Sequence, residues 1–218
     1  MARPVKSRPY DNTGREAAAR RTRRTVVAAA RELLLEQGYA GTTLAAVAAR
    51  AGVSVQTVYA QFGSKPALVK QIVDEAIAGD DEPVALADRP EVQAQLAEPD
   101  PHVRIRLHAR DVAARMPRIE PVDRMLRSAA GVDQAIRAQL DQDDAGLLAG
   151  MLEMASFYAG RDELAVPVEL AAQRVAALMS PQLYRQTVLD HGWSPEDYAD
   201  WLGDLLAVSI LKPVRRRR

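Results

Sequence analysis

Between residues 42 and 69 the chain reads TTLAAVAARAGVSVQTVYAQFGSKPALV, and side chains of one chemical kind gather there around short helix starts. Thr43, Ser54, Thr57, Tyr59 and Lys65 carry hydroxyl or ammonium donors close to places where unpaired backbone N–H groups and the positive end of a helix dipole already favour an anion. The chemistry on offer is the gripping of a phosphate. Gln56 and Gln61 add carboxamides, which can pair bidentately with an adenine edge, and the methyl groups of Val55, Thr57 and Ala60 suit thymine methyls. The plainer reading is that Ser54 and Ser64 only cap helices and that Tyr59 covers part of a small domain's surface.

The elements that must hold these groups follow from spacing. Leu44, Val47, Ala48 and Ala51 fall at i, i+3, i+4 and i+7, one apolar face of a short helix that Thr43 can cap. Gly52 breaks it, because glycine reverses the chain at positive φ without steric cost. Ser54 then caps a second helix running to about Gln61, so a three-residue turn separates the two. Val58 and Phe62 share its inward face, which leaves Val55, Gln56, Thr57, Tyr59, Ala60 and Gln61 to point outward. Gly63 ends that helix. Ser64 caps a third, opened by Lys65 and Pro66, whose stripe of Leu68, Val69, Ile72, Val73 and Ala76 packs back on the pair.

Upstream, a long amphipathic helix ends in Glu36, Gln37, Gly38 and Tyr39. Together with Thr42 and Thr43, Ala51 to Ser54, Thr57, Tyr59, Phe62, Ser64, Lys65 and Leu68, this pattern resembles the TetR family of one-component bacterial transcriptional regulators over roughly residues 17–76. The resemblance implies a reader helix lying in the major groove, with the positions of Thr43, Val55, Gln56, Thr57, Tyr59, Gln61 and Lys65 touching DNA, mostly its phosphates. Family members often carry histidine at the position of Gln61 and a larger residue at that of Ala60, so the operator of this chain cannot be copied from relatives. The resemblance further implies a dimer on a palindrome, an effector-binding domain that releases DNA, and a four-helix dimer interface from helices near 168–190 and 195–211.

Charge supports a polyanion partner. The chain is formally neutral, yet residues 1–70 hold 12 Lys and Arg against 4 Asp and Glu, a net of +8 that the remainder balances at −8. The excess concentrates in Arg3, Lys6, Arg8 and Arg15, then in Arg20, Arg21, Arg23 and Arg24 at the head of the first long helix. Such an arm can follow the backbone or enter a minor groove; it suits a solubilising leader equally well. The terminal Arg215, Arg216, Arg217 and Arg218 read as a solvated tail.

Ala, Leu, Arg, Glu and Gln dominate the periodic segments and β-branched alternation is almost absent, so the chain is expected to be all-α. With 48% hydrophobic residues it can bury a substantial core. The absence of cysteine excludes disulfides and thiolate metal sites and fits a cytoplasmic setting. No secretory leader is visible, and the longest mainly apolar segment, 205–211, is far shorter than the ~20 residues of a membrane span.

These readings divide the chain into a basic arm at 1–14, a helix-turn-helix domain at 15–78, a helical effector-binding and dimerisation domain at 79–212, and a tail at 213–218. In the second domain helical patterns cover 85–97, 101–116, 121–130, 132–158 and 168–179, with prolines 99, 117, 121, 167 and 181 at expected starts or stops. The last helix carries Ser194 as cap and Pro195 at its first position. Its broad face, with Val175 and Leu178 on the helix before and Tyr198, Trp201, Leu202, Leu205 and Leu206 on its own, can close its own core or meet a second copy.

Met116, Met125, Met151, Met154, Phe157, Tyr158 and Met179 form a soft apolar set suited to a hydrophobic small molecule, although each taken singly reads as ordinary helical core. The expected partners are thus double-stranded DNA, such an effector and a second copy of the chain. No cofactor or metal site is expected: His102 and His108, six residues apart, lie on different helix faces. Asp141, Asp143 and Asp144 suggest a magnesium-diphosphate site of the kind found in helical isoprenoid enzymes, but no second carboxylate cluster answers them. An adaptor binding only proteins would leave the +8 half without a purpose.

Overall fold

A computed structural model describes residues 13–213 of the chain. Among these the architecture is all-helical, apart from a single bridge between Leu164 and Leu211. The chain divides into two compact units, Met1–Val69 and Lys70–Arg218.

The first unit is built on α1 (Thr13–Gly41), α2 (Leu44–Ala51), α3 (Val55–Phe62) and the opening residues of α4 (Lys65–Ala78). Along α1, Val26, Val27, Ala30, Leu33 and Leu34 are buried at helical spacing, and the opposite face carries its charges. At Gly38 the backbone leaves helical values with φ 72 and ψ 173, which only glycine adopts cheaply. Just beyond, Tyr39 is buried and the Thr42 hydroxyl donates to the Gly38 carbonyl at 2.9 Å. Leu44, Val47, Ala48, Val58, Phe62, Leu68 and Val69 complete the small core. Arg50 of α2 reaches Glu32 and Glu36 of α1 at 3.1 and 3.3 Å, exposed ion pairs that solvent screens.

The second unit contains the end of α4, a short turn of 3₁₀ helix at Leu86–Asp88, α5 (Pro90–Ala97), α6 (Pro101–Ala129), α7 (Gln134–Ala159), α8 (Val168–Leu178), α9 (Pro181–Tyr184), a π-helical turn at Arg185–Asp190, and α10 (Pro195–Ile210). The acidic segment after Gly79 is folded back on itself, because the buried Arg89 guanidinium grips both oxygens of Asp80 at 2.7 and 2.8 Å. That grip holds the Asp80 carboxyl well below the usual carboxylate range.

Two sequence expectations change here. The break expected after Met116 is absent: α6 runs unbroken through Pro117 and Pro121. Each proline forfeits one backbone hydrogen bond, but the helix is held on both sides of them by a buried stripe that includes Val112, Met116, Val122 and Leu126. Conversely, the long helix that the resemblance implies over 168–190 is broken into three pieces, the first of which, α8, ends within a residue of the 168–179 pattern read from the sequence. The ring of Pro181 disfavours a helical Ser180, which is extended at φ −64 and ψ 129 and caps α9 instead.

The core of this unit lies between α6, α7, α8 and α10. Its largest fully buried side chains include Tyr158, Tyr198, Ile105, Leu202, Leu206 and Ile210. Tyr198 packs edge-on against Tyr184 with ring centres 5.2 Å apart. α10 crosses α6 at Gly203, where a Cβ would stand 3.3 Å from the Cα of Arg106.

Of the residues expected at a dimer face, Val175, Tyr198, Leu202 and Leu206 are fully buried in this core and present no surface. Leu178, Trp201 and Leu205 are partly exposed, and Val208 is 78% exposed beside them on α10. The broad face of α10 therefore has an inner half that closes its own unit and an outer half left apolar.

Candidate nucleic-acid interface and ligand cavity

The turn between α2 and α3 is closed by local chemistry that the sequence spells out. Thr43 Oγ1 accepts from the Ala46 N–H at 3.1 Å and starts α2. Gly52 ends it in the left-handed region at φ 68, and the Val53 N–H returns to the Ala48 carbonyl at 3.0 Å. Ser54 Oγ accepts from the Thr57 N–H at 3.1 Å and lies 2.9 Å from the Thr57 hydroxyl, so the two form one small polar group at the start of α3. Val58 and Phe62 are buried beneath, which fixes the outward face of α3.

On that face Gln56 and Tyr59 are exposed, Tyr59 by 54%, together with Ala60. Thr43 and Ser54 are exposed at the helix starts, while Val55 and Thr57 are partly covered. Arg20 and Arg24 lie exposed along α1.

Two expected contacts are differently disposed. Gln61 is partly covered, and its Oε1 is buried without a hydrogen-bond partner among the described residues. Its backbone carbonyl accepts from Arg23 at 3.3 Å, and the Arg23 guanidinium lies 4.5 Å from the centre of the Phe62 ring, a cation placed at the negative end of α3. Lys65 donates to the Tyr39 carbonyl and sits 3.7 Å from the centre of its ring. Lys65 is thus drawn toward α1, whereas Gln61 meets α1 through its backbone carbonyl. Arg3, Lys6 and Arg8 of the expected arm, and Arg215, Arg216, Arg217 and Arg218 of the tail, lie outside the described residues.

The second unit holds an open cavity of about 300 Å³, within the range of small-molecule sites. Three of the seven expected lining residues, Met116, Met151 and Met179, do line it, alongside Val112, Ile119, Leu126, Leu140 and Leu147. The other four pack elsewhere. Met125 is buried along α6 and Met154 packs against the core. Phe157 lies under Arg161 and Arg104, at 3.7 and 5.1 Å, and Tyr158 is buried beside the Arg104–Glu163 ion pair of 2.7 Å. Burial pushes the Tyr158 phenol up to about 12.

The sequence reading did not place Asp123, Arg127, Asp143 and Asp144 in the cavity, where they stand with His108 and Arg115. The signal was present but mixed. Positions 108, 112, 115, 116, 119, 123, 126 and 127 form one continuous face of α6, in which charge and hydrocarbon alternate instead of segregating. Burial pushes His108 down to about 4, so it is neutral at pH 7, with Nε2 3.4 Å from the Met179 sulfur. Asp123, pushed upward by burial, is nevertheless held by Arg127 at 2.9 Å and by Gln182 at 2.9 Å. Among the described residues no three His, Asp or Glu side chains converge as metal ligands.

A capped helix-turn-helix in one unit, and a cavity-bearing bundle in the other, define an all-α two-unit class of protein. Residues 26–72 match the family model for bacterial regulatory proteins, tetR family. A TetR-family regulator from Syntrophomonas wolfei str. Goettingen has a similar structure, with TM-score 0.72 and 18% identity over 90% of this chain and 99% of that one. NalD, the secondary repressor of the MexAB-OprM multidrug efflux pump in Pseudomonas aeruginosa, matches with TM-score 0.69 and 18% identity over 90% and 99%. SmeT in complex with triclosan matches with TM-score 0.67 and 16% identity over 89% and 93%. At these identities the likeness is one of fold. No curated protein sequence matches the chain. Residues 26–72 thus match the tetR family model, and the chain has the fold of the TetR-family transcriptional regulators.

Proposed function

We propose that this protein is a transcriptional regulator that binds a palindromic double-stranded DNA operator as a homodimer, represses there, and lets go when a hydrophobic small molecule enters the cavity. The observation that carries the reading is the outward face of α3. Gln56 and Tyr59 stand exposed next to the polar start formed by Ser54 and Thr57, on a segment that matches the family model. Phosphates would be held at Thr43, Ser54, Thr57, Tyr59 and Lys65 and by Arg20 and Arg24, and bases read by Gln56, with Gln61 joining if its side chain swings out.

In this reading residues 15–78 are the DNA-binding domain, and 79–212 hold the effector and the second copy. The outer half of α10, with Trp201, Leu205 and Val208, together with Leu178 of α8, is the surface offered to that copy. A dimer suits an eight-residue reader helix, which by itself reaches too few bases for a specific site. SmeT carries triclosan in its solved complex and NalD is named a repressor, which supports ligand binding and repression here by likeness of fold. The protein acts by binding rather than catalysis, in the cytoplasm where its DNA lies. Among the described residues no helix is long and apolar enough to cross a membrane.

The test is fluorescence anisotropy on DNA from the intergenic region beside its gene, at several salt concentrations. A dimer neutralising ~8 phosphates loses affinity with a log–log slope near −7. Salt-independent binding, or none to any flanking palindrome, overturns the proposal.

A further inference from the structure

The charges around the cavity do not cancel, and the excess is negative. Arg115 is engaged by Asp111, and Arg127 by Asp123 and Asp144, the latter at 3.5 Å. His108 is neutral at pH 7. Among the described residues Asp143 of α7 has no such ion pair. Its Oδ1 accepts from the Gln139 amide at 2.8 Å, but its Oδ2 is buried and accepts no hydrogen bond from the described residues. The Lys70 ammonium, whose charge is felt at Asp143, is bound to Asp74 at 2.6 Å.

A carboxylate oxygen cut off from water beside hydrocarbon is costly unless a cation or donor meets it. The cavity that Asp143 lines is walled as well by Val112, Met116, Ile119, Leu126, Leu147 and Met151, which suit an apolar body and can supply no donor to the carboxylate. We propose that the cavity takes a hydrophobic cation, with a protonated amine seated against Asp143 and its hydrocarbon among these side chains. Burial pushes the Asp143 carboxyl upward, as expected of a site whose counter-charge arrives with the ligand. An anion would meet the same uncompensated carboxylate, and a neutral molecule would leave it as it is. The inference rests on the reading of the cavity as the effector site, and it names the chemical class of that effector.

The test uses three probes with one skeleton, titrated calorimetrically into the full-length protein at neutral pH: 4-phenylbutylamine, 4-phenylbutan-1-ol and 4-phenylbutanoate. The amine should bind at least tenfold more tightly than the alcohol, and the carboxylate most weakly. Asp143→Asn should bring the amine down to the affinity of the alcohol and leave the alcohol unchanged, whereas Asp144→Asn should keep the preference. Equal binding of amine and alcohol by the unaltered protein, which needs no variant to observe, overturns the cation assignment, as does a preference that survives in Asp143→Asn. If the alcohol binds, and Met151→Trp abolishes that binding, the cavity stands as a ligand site whatever the charge preference. If none of the three binds, both readings fall together.

Discussion

The outward face of α3 and the cavity of the second unit are both sites made on helices, yet they are built by opposite means. α3 is eight residues long, and its orientation is set by contacts within a few residues: Ser54 capping Thr57, Gly52 and Gly63 ending helices, Val58 and Phe62 buried below. The cavity draws on residues from 73 to 182, contributed by α4, the 3₁₀ turn, α6, α7, α8 and the start of α9. A site made locally exposes its chemistry on a surface that folding leaves alone. A site made from distant helices shares every side chain with the core, so altering it also alters stability.

That contrast can be broken at four points. Tyr198→Ala, inside the core of the second unit, should cost about 4 kcal/mol and lower the melting temperature by roughly 10 °C. Trp201→Ala, three residues further on, should instead shift sedimentation toward monomer with little loss of stability. A folded monomer with an unchanged melting temperature from Tyr198→Ala would mean that the inner and outer halves of α10 have been confused.

The second point is pH. Burial holds His108 down at about 4, against an ordinary value of 6.5. Above pH 6.5 it is neutral folded or unfolded, so nothing is lost there. As pH falls toward 4 the unfolded chain binds a proton that the folded one refuses, and the fold loses up to about 3 kcal/mol. Asp123 and Asp143, pushed upward, work in the opposite direction, gaining stability as they protonate. The clean readout is therefore a difference: denaturant melts from pH 7.5 to 4.5 should fall less steeply for His108→Gln than for the unaltered protein. Parallel curves would show that His108 is not held neutral by the fold.

At the exposed site the effect should be functional only. Tyr59→Ala is expected to weaken operator binding about tenfold, about 1.4 kcal/mol, with no change in melting temperature. Unchanged affinity would remove Tyr59 from the interface. The smallest effect is expected at Gly203, where an added Cβ presses on Arg106. Overpacking of 1–3 kcal/mol is partly offset by the helix preference of alanine, about 1 kcal/mol, so Gly203→Ala should cost about 1 kcal/mol in urea melts.

Legibility in the sequence followed the same division. α2, the turn and α3 were readable almost to the residue because caps and glycines act on the backbone within three positions, and because 3.6-residue periodicity sorts Val58 and Phe62 from Gln56 and Tyr59. Even there Gln61 and Lys65 escaped, since Arg23 and Tyr39, which engage them, lie 38 and 26 residues away. In the second unit the wrong weight was given to proline. Pro117 and Pro121 stay within α6, whereas Pro181 ends a run, and only the packing around each distinguishes the cases.

By itself, then, the chain of side chains determined helicity, the position of the helix-turn-helix and the basic character of the first 70 residues, all consequences of local propensity, capping and composition. Tertiary structure alone decided which methionines face the cavity, that the buried half of α10 includes Tyr198, Leu202 and Leu206, and that Asp143 Oδ2 is buried with no hydrogen-bond partner among the described residues. The physical reason is that periodicity marks a side chain as buried but not what buries it. An apolar stripe reads the same whether it meets its own core, a ligand or a second copy, and an aspartate's partner is a matter of which helix comes to lie beside it.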